Sequence, residues 1–283
     1  MSLQEIQLSQ NHQGVIDRFV AACQADERVV AAFLGGSHAK KTADAYSDLD
    51  LYLITLDEAF QDFLAERKAF IRLWGEPLFL EDFGTPHLLF YMFADRTEGE
   101  LWIHQESHLD QVHTGPYRVL LDKKGILASA VFPEREADQA RQVETLRQQV
   151  AWFWHDLSHF IKAMGRGQLW FACGELEILR QICVNLARLR YNFADVWVGE
   201  EPYFKVEQVL PVKQLSPLQT TFCAMEYEAM LKAAFTLVRF YRDVAQDLAR
   251  EHSIMYQTDL ERMMIGRLEE LGDSKENPQA SRM

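Results

Sequence analysis

The chain has 283 residues, 48% of them hydrophobic and 25% charged, an ordinary globular composition with room for one large or two medium domains. No run of eighteen apolar residues exists, and the polar start MSLQEIQLSQNHQG lacks a basic stretch followed by an apolar one. Neither a transmembrane helix nor a secretory signal is therefore expected, and a soluble, cytoplasmic protein is. The formal charge of −13 argues against long nucleic acids, which bind through basic surface, and favours a small substrate, more readily a cationic one.

Along the chain, two halves differ in texture. The first opens with a helix predicted over residues 13–25, where Val15, Phe19, Val20 and Cys23 share a face. Residues 29–36, VVAAFLGG, read as a buried strand ending in glycines, and residues 48–53 alternate polar and apolar as a half-buried strand does. A helix over 57–74 closes at Gly75. Strands follow over 78–81, 87–93, 100–104 and 117–121, the last stopped by the turn Asp122-Lys123-Lys124-Gly125.

Pro133 and the charged run after it mark a boundary. Beyond it, helices are predicted over 138–164, 169–191, 217–251 and 257–271, with Gly165-Arg166-Gly167 breaking the first from the second. The final stretch, GDSKENPQASRM, is polar and reads as disordered. The four cysteines, Cys23, Cys173, Cys183 and Cys223, form no CxxC pair. A zinc site and a disulfide framework are both unexpected, and buried free thiols are the simpler reading.

The chemistry concentrates in Gly35-Gly36-Ser37 and in Asp48-Leu49-Asp50-Leu51, with Asp48 eleven positions after Ser37. Residues two apart on a strand point to one face, so Asp48 and Asp50 present adjacent carboxylates while Leu49, Leu51 and Leu53 bury the other side. A bound divalent cation removes the repulsion between two such charges, and hard oxygen donors suit magnesium shared with substrate phosphates. Gly35 and Gly36 let the backbone turn and approach a ligand; their amides and the Ser37 hydroxyl are candidates to hold the phosphates of a nucleoside triphosphate. Lys40 and Lys41 add positive charge nearby. The GxxxxGK[ST] spacing of a Walker loop is absent.

The segment LGGSHAKKTADAYSDLDLYLI resembles the signature of the nucleotidyltransferase superfamily that includes DNA polymerase beta: Gly-Gly/Ser after a strand, then Asp-x-Asp on the next. The resemblance implies a third carboxylate on a later strand of the same sheet. Glu100, which shares a strand face with Trp102 and His104, is the choice, and Glu98 competes; many members carry Asp there. More narrowly, GELWIHQESHLDQV, YRVLLDKKG and the helical second half resemble the lincosamide and aminoglycoside nucleotidyltransferases. That implies a helical domain closing over the acceptor, with a homodimeric partner nearby.

Other residues carry weaker signals. His155 and His159 share a helix face at metal-ligand spacing, but no HExxH is present, Asp156 lies off that face, and a structural or substrate-lining pair is the better reading. Glu175 and Glu177, early in a helix, suit its dipole; in aminoglycoside-modifying relatives helical acids face the acceptor, so Glu175 is a substrate-binding candidate. Arg166 and Arg180 default to solvated surface, Asp122 to a turn residue, and His38 lines the phosphate loop.

The expected fold is α+β: a mixed nucleotidyltransferase sheet flanked by helices over residues 1–132, an all-helical substrate-binding bundle over 133–272, and a disordered tail over 273–283. The expected reaction moves a nucleoside monophosphate, AMP from ATP, onto a hydroxyl of a small molecule such as an antibiotic, with two magnesium ions and release of pyrophosphate. Asp48, Asp50 and Glu100 are the expected catalytic and metal-holding residues. The alternatives are a protein-modifying AMP transferase of antitoxin type and a nucleotide-binding relative that has lost catalysis. Against the first stand the length of the chain and the absence of an Arg-x4-6-His motif; against the second stand both aspartates.

Overall fold

A computed structural model describes residues 3–276 of the chain. The chain divides into two compact units, Met1–Arg135 and Glu136–Met283. The fold is α+β.

The first unit is built on one six-stranded mixed sheet: β1 Val29–Leu34, β2 Leu49–Thr55, β3 Pro77–Glu81, β4 Leu88–Phe93, β5 Glu98–Gln105 and β6 Arg118–Asp122, in the order β3-β4-β5-β2-β1-β6. β2 and β5 run parallel; every other neighbouring pair is antiparallel. The parallel pair needs a crossover, and helix α3 (Phe60–Ile71) with the β3–β4 hairpin supplies it. Alternation along the strands makes two faces. On one, Leu34, Leu49, Leu51, Leu53, Leu101 and Ile103 are fully buried and pack with Phe19 of helix α1 (Leu3–Ala25) and Phe63 of α3. Removal from water contributes about 1.5–3 kcal/mol for each such side chain. On the opposite face Ala31, Phe33 and Ile54 meet Val112, Leu127 and Phe132. Asp122 holds this cover down by accepting from the backbone N–H groups of Ile126 (3.0 Å) and Leu127 (2.9 Å). The same face carries Asp50, Glu100 and Trp102.

Several boundaries differ from the sequence reading: the helix expected over 57–74 is a 3-10 turn, Asp57–Ala59, followed by α3, and the strand expected over 100–104 spans Glu98–Gln105. α1 starts ten residues before Gln13 because the residues ahead of Gly14 favour helix and a single glycine costs only about 1 kcal/mol. β1 stops at Leu34, two residues before the expected end at Gly36, and Gly36–Lys40 form a short helix, α2, at the start of what was read as a polar loop. Asp48 precedes β2.

The second unit is helical: α4 Gln139–Gly165, α5 Leu169–Tyr191, α6 Val206–Val209, α7 Val212–Gln219, α8 Tyr227–Glu251 and α9 Thr258–Glu276. Asp138 caps α4 by accepting from the N–H groups of Ala140 and Arg141. Phe153 of α4 stacks on Tyr241 of α8 at 3.8 Å, and the Tyr241 hydroxyl donates to the Val150 carbonyl at 2.8 Å, so this buried phenol is satisfied. The single helix expected over 217–251 is two: the hydroxyls of Thr220 and Thr221 donate to the carbonyls of Pro217 and Leu218, competing with continued helix, and α8 restarts at Tyr227. The tail expected to be disordered from 273 continues α9 through Glu276; residues 277–283 lie outside the described residues. Cys23 and Cys183 are buried as expected, but Cys173 and Cys223 are exposed. No helix among the described residues is long and apolar enough to cross a membrane.

Candidate active site

Pairing across the sheet brings the acids together. In the parallel β2–β5 ladder Asp50 is level with Glu100, and Glu100 is level with Phe90 of β4. On the other side the Gly35 N–H donates to the Asp50 carbonyl at 2.9 Å. One row thus crosses the sheet from the glycine turn through Asp50 and Glu100 to Phe90. Glu98 lies one step behind, level with Met92, so Glu100 rather than Glu98 faces Asp50. Asp48, exposed, comes one residue before the strand on the side of Asp50.

The electrostatics follow from that row. Burial, then the charges of Asp48 and Glu100, push the Asp50 carboxyl up to about 6, with Lys40 opposing. Trp102, two residues after Glu100 on the same face, donates its indole N–H to Glu100 Oε2 at 2.9 Å. Its ring is held in a stack with Tyr52 at 6.4 Å and His104 at 6.2 Å.

The glycine turn sits against Asp50. Gly36 has φ +53°, and a Cβ there would fall 1.7 Å from Asp50 Oδ2, so only glycine lets the carboxylate lie under the turn. The Gly35 amide, expected to face phosphate, is already engaged by the Asp50 carbonyl and serves the sheet instead. Ser37 Oγ and His38 Nε2 are buried and have no hydrogen-bond partner. His38 packs edge-on against the buried His12 of α1 at 5.5 Å. Lys40 reaches Asp50 electrostatically, whereas Lys41 adopts φ 59° to cap α2.

Among the described residues no three His, Cys, Asp or Glu side chains converge to enclose a metal ion unaided. The acid pair nonetheless fits magnesium, which takes one or two carboxylates and completes its shell with phosphate and water.

In the helical unit, His155 and His159 lie 4.5 Å apart between ring centroids, and His159 Nδ1 is 3.9 Å from Glu175 Oε1. Asp156, expected off this face, belongs to the group: the His155 Nδ1–H donates to Asp156 Oδ1 at 2.7 Å. Glu175 is 5% exposed, its Oε2 has no partner, and burial followed by the Asp156 charge holds its carboxyl above the usual range. Arg180, expected on the surface, is buried; it donates to Thr221 Oγ1 at 2.8 Å, pairs with Glu177 and lies over the Phe222 ring. Each of its three guanidinium nitrogens donates to a protein group, Thr221 Oγ1, Glu177 or the Thr221 carbonyl, which fits a rivet rather than a phosphate contact.

The family model for streptomycin adenylyltransferase matches residues 9–270. The chain belongs to the streptomycin adenylyltransferase family. It is an adenylyltransferase, with a nucleotide co-substrate and a small-molecule acceptor. Among solved structures it is similar to an aminoglycoside 6-adenyltransferase from Bacillus subtilis, with 17% identity, a TM-score of 0.40, and coverage of 92% of this chain and 97% of that one. It is also similar to a nucleotidyltransferase-like protein from Exiguobacterium sibiricum, with 11% identity, a TM-score of 0.33, and coverage of 92% and 89%. No curated protein matches the chain.

Three features of this adenylyltransferase escaped the sequence reading. The Trp102–Glu100 hydrogen bond had a signal, since residues two apart on a strand share a face. Asp156 had one in its adjacency to His155. The pairing of Phe90 with Glu100 had none, because register between distant strands is set by tertiary packing.

Proposed function

We propose that this adenylyltransferase moves AMP from ATP onto a hydroxyl of a small cationic antibiotic of the aminoglycoside type, using magnesium and releasing pyrophosphate. The observation that carries this reading is the row Gly36–Asp50–Glu100, which sets a glycine turn, a first acid and a second acid side by side on one sheet face. The family's acceptor, streptomycin, supplies the antibiotic class. The negative surface of the chain favours a cation.

Asp48 and Asp50 would hold the divalent ions. When bound, the metal neutralises charge on the phosphates and lowers the pKa of the attacking hydroxyl. The partnerless Ser37 hydroxyl and the Gly36 backbone orient the leaving diphosphate, with Lys40 adding positive charge. Glu100 accepts the proton of the acceptor hydroxyl as its oxygen attacks the α-phosphorus; the bridging α–β bond breaks and pyrophosphate departs. Trp102, bonded to one Glu100 oxygen, fixes which oxygen faces the acceptor. In the helical unit, the buried Glu175, whose Oε2 has no hydrogen-bond partner, is suited with His155 and His159 to receive a protonated amine or guanidinium.

The test is Asp48→Asn with Asp50→Asn, assayed for magnesium-dependent pyrophosphate release and for adenylyl mass gain on a panel of aminoglycosides. Turnover should disappear while circular dichroism stays unchanged. Turnover by the double variant sinks the reading.

A further inference from the structure

The outer part of the sheet carries an aromatic group that the reaction has not yet used. Phe79 on β3, Phe83 in the β3–β4 turn and Phe90 on β4 form a triangle with ring centroids 5.9, 6.3 and 6.5 Å apart. Phe79 is 46% exposed and Phe83 67%. Phe83 has φ +48°, a conformation that bulky residues rarely adopt and that must be imposed by its surroundings. The surroundings do impose it. Glu81 Oε1 accepts from the Asp82 N–H at 2.9 Å, Asp82 Oδ1 accepts from the Gly84 N–H at 3.0 Å, and Arg67 anchors Asp82 at 2.8 Å. The turn is tied down so that an aromatic ring stands in solvent.

Position gives the triangle its meaning. Phe90 is the direct neighbour of Glu100, and Glu81 is the neighbour of Phe90, so acid and ring alternate along the row that contains Asp50. The glycine turn lies on the far side of Asp50 from these rings. The rings therefore stand beside Glu100 on the side away from the glycine turn.

We propose that Phe79, Phe83 and Phe90 are the shelf on which the acceptor rests: a ring-shaped molecule with C–H-rich faces and cationic substituents. The inference rests on Glu100 being the base of the proposed reaction. Aromatic faces attract cations and stack on aliphatic rings, and the interleaved Glu81, Glu98 and Glu100 complement positive charge. Three rings about 6 Å apart cover the area of one or two sugar-sized rings, far below the roughly 800 Å² per partner of a stable protein interface. Acids placed among the rings also run against the depletion of charge at the centre of such interfaces.

The experiment uses the full-length protein with streptomycin as the probe. Phe79→Ala, Phe83→Ala and the conservative Phe83→Tyr are compared with wild type. Each alanine variant should raise the KM for streptomycin about tenfold while leaving the KM for ATP and the thermal midpoint unchanged; Phe83→Tyr should behave as wild type. Calorimetric titration of streptomycin into protein saturated with a non-hydrolysable ATP analogue reads the shelf without turnover and should show the same loss. If wild type binds streptomycin but transfers nothing, the proposed reaction fails and the titration alone decides the shelf. Unchanged streptomycin affinity in the alanine variants, or no streptomycin binding by wild type, overturns the shelf. So does a wild-type dimer in light scattering that the alanine variants split, since the rings would then be a self-association face.

Discussion

Trp102 Nε1 donates to Glu100 Oε2 at 2.9 Å, and that carboxylate stands level across the sheet with Asp50. A hydrogen bond to a charged group contributes about 1.5–3 kcal/mol, and here it also fixes which Glu100 oxygen is left for the acceptor. Trp102→Phe keeps a ring in the stack between Tyr52 and His104 but removes the donor. Its kcat should fall about 10- to 100-fold with the KM for ATP unchanged. Steady-state kinetics check this, and a proportionate rise in the KM for ATP would reassign Trp102 to nucleotide binding.

Asp50 is a carboxylate placed where the folded protein resists its charge. Its carboxyl is pushed up to about 6 from an ordinary 3.8, so the folded state holds the proton more tightly than the unfolded chain does. Stability on this account falls as pH rises from about 4 to 6, and the full penalty is present at neutral pH. Asp50→Asn should therefore stabilise the metal-free protein at pH 7.5, by about 1–2 kcal/mol after allowance for partial exposure. Thermal melts in chelator should show the variant melting higher. Adding magnesium and an ATP analogue should raise the wild-type midpoint and leave the variant's in place.

Gly36 and Gly125 separate strain from function. Both have positive φ, +53° and +73°, but a Cβ at Gly36 meets Asp50 Oδ2 at 1.7 Å while a Cβ at Gly125 meets nothing within 4 Å. Gly125→Ala should lose about 1 kcal/mol of stability and no activity. Gly36→Ala must also displace the Asp50 carboxylate, and its kcat/KM should fall at least about 100-fold, roughly 3 kcal/mol of transition-state stabilisation. Equal activity in the two variants would show that the Asp50–Gly36 approach is dispensable.

What could be read beforehand was whatever depends on local pattern. The buried alternation of Leu49, Leu51 and Leu53 follows from strand period alone, and α5 runs over Leu169–Tyr191 as its apolar stripe indicates. Features that depend on distant partners were not legible. Arg180 looked solvated because nothing near it in sequence announces Thr221, forty-one positions on, as its acceptor. The end of β1 was overrun because two glycines after an apolar run are compatible with a strand end or a helix start, and only Asp50 beneath them decides. Asp156 was excluded by helix-face geometry, yet an acid next to a histidine can reach it sideways.

His104 makes the first unit sensitive to acid. Burial, with His87 and His108 nearby, lowers its pKa from 6.5 to about 4, and its Nε2 is buried without a partner. The folded state therefore binds this proton more weakly than the unfolded chain, which charges first as pH falls. The contribution of the neutral ring is complete above about pH 6.5 and is lost as pH drops toward 4. The ring is partly exposed, so the loss is about 1–2 kcal/mol. His104→Phe keeps the stack on Trp102 but cannot charge. Between pH 7.5 and 5 its thermal midpoint should fall less than that of wild type. Parallel pH profiles for the two proteins would show that His104 titrates normally in the folded state.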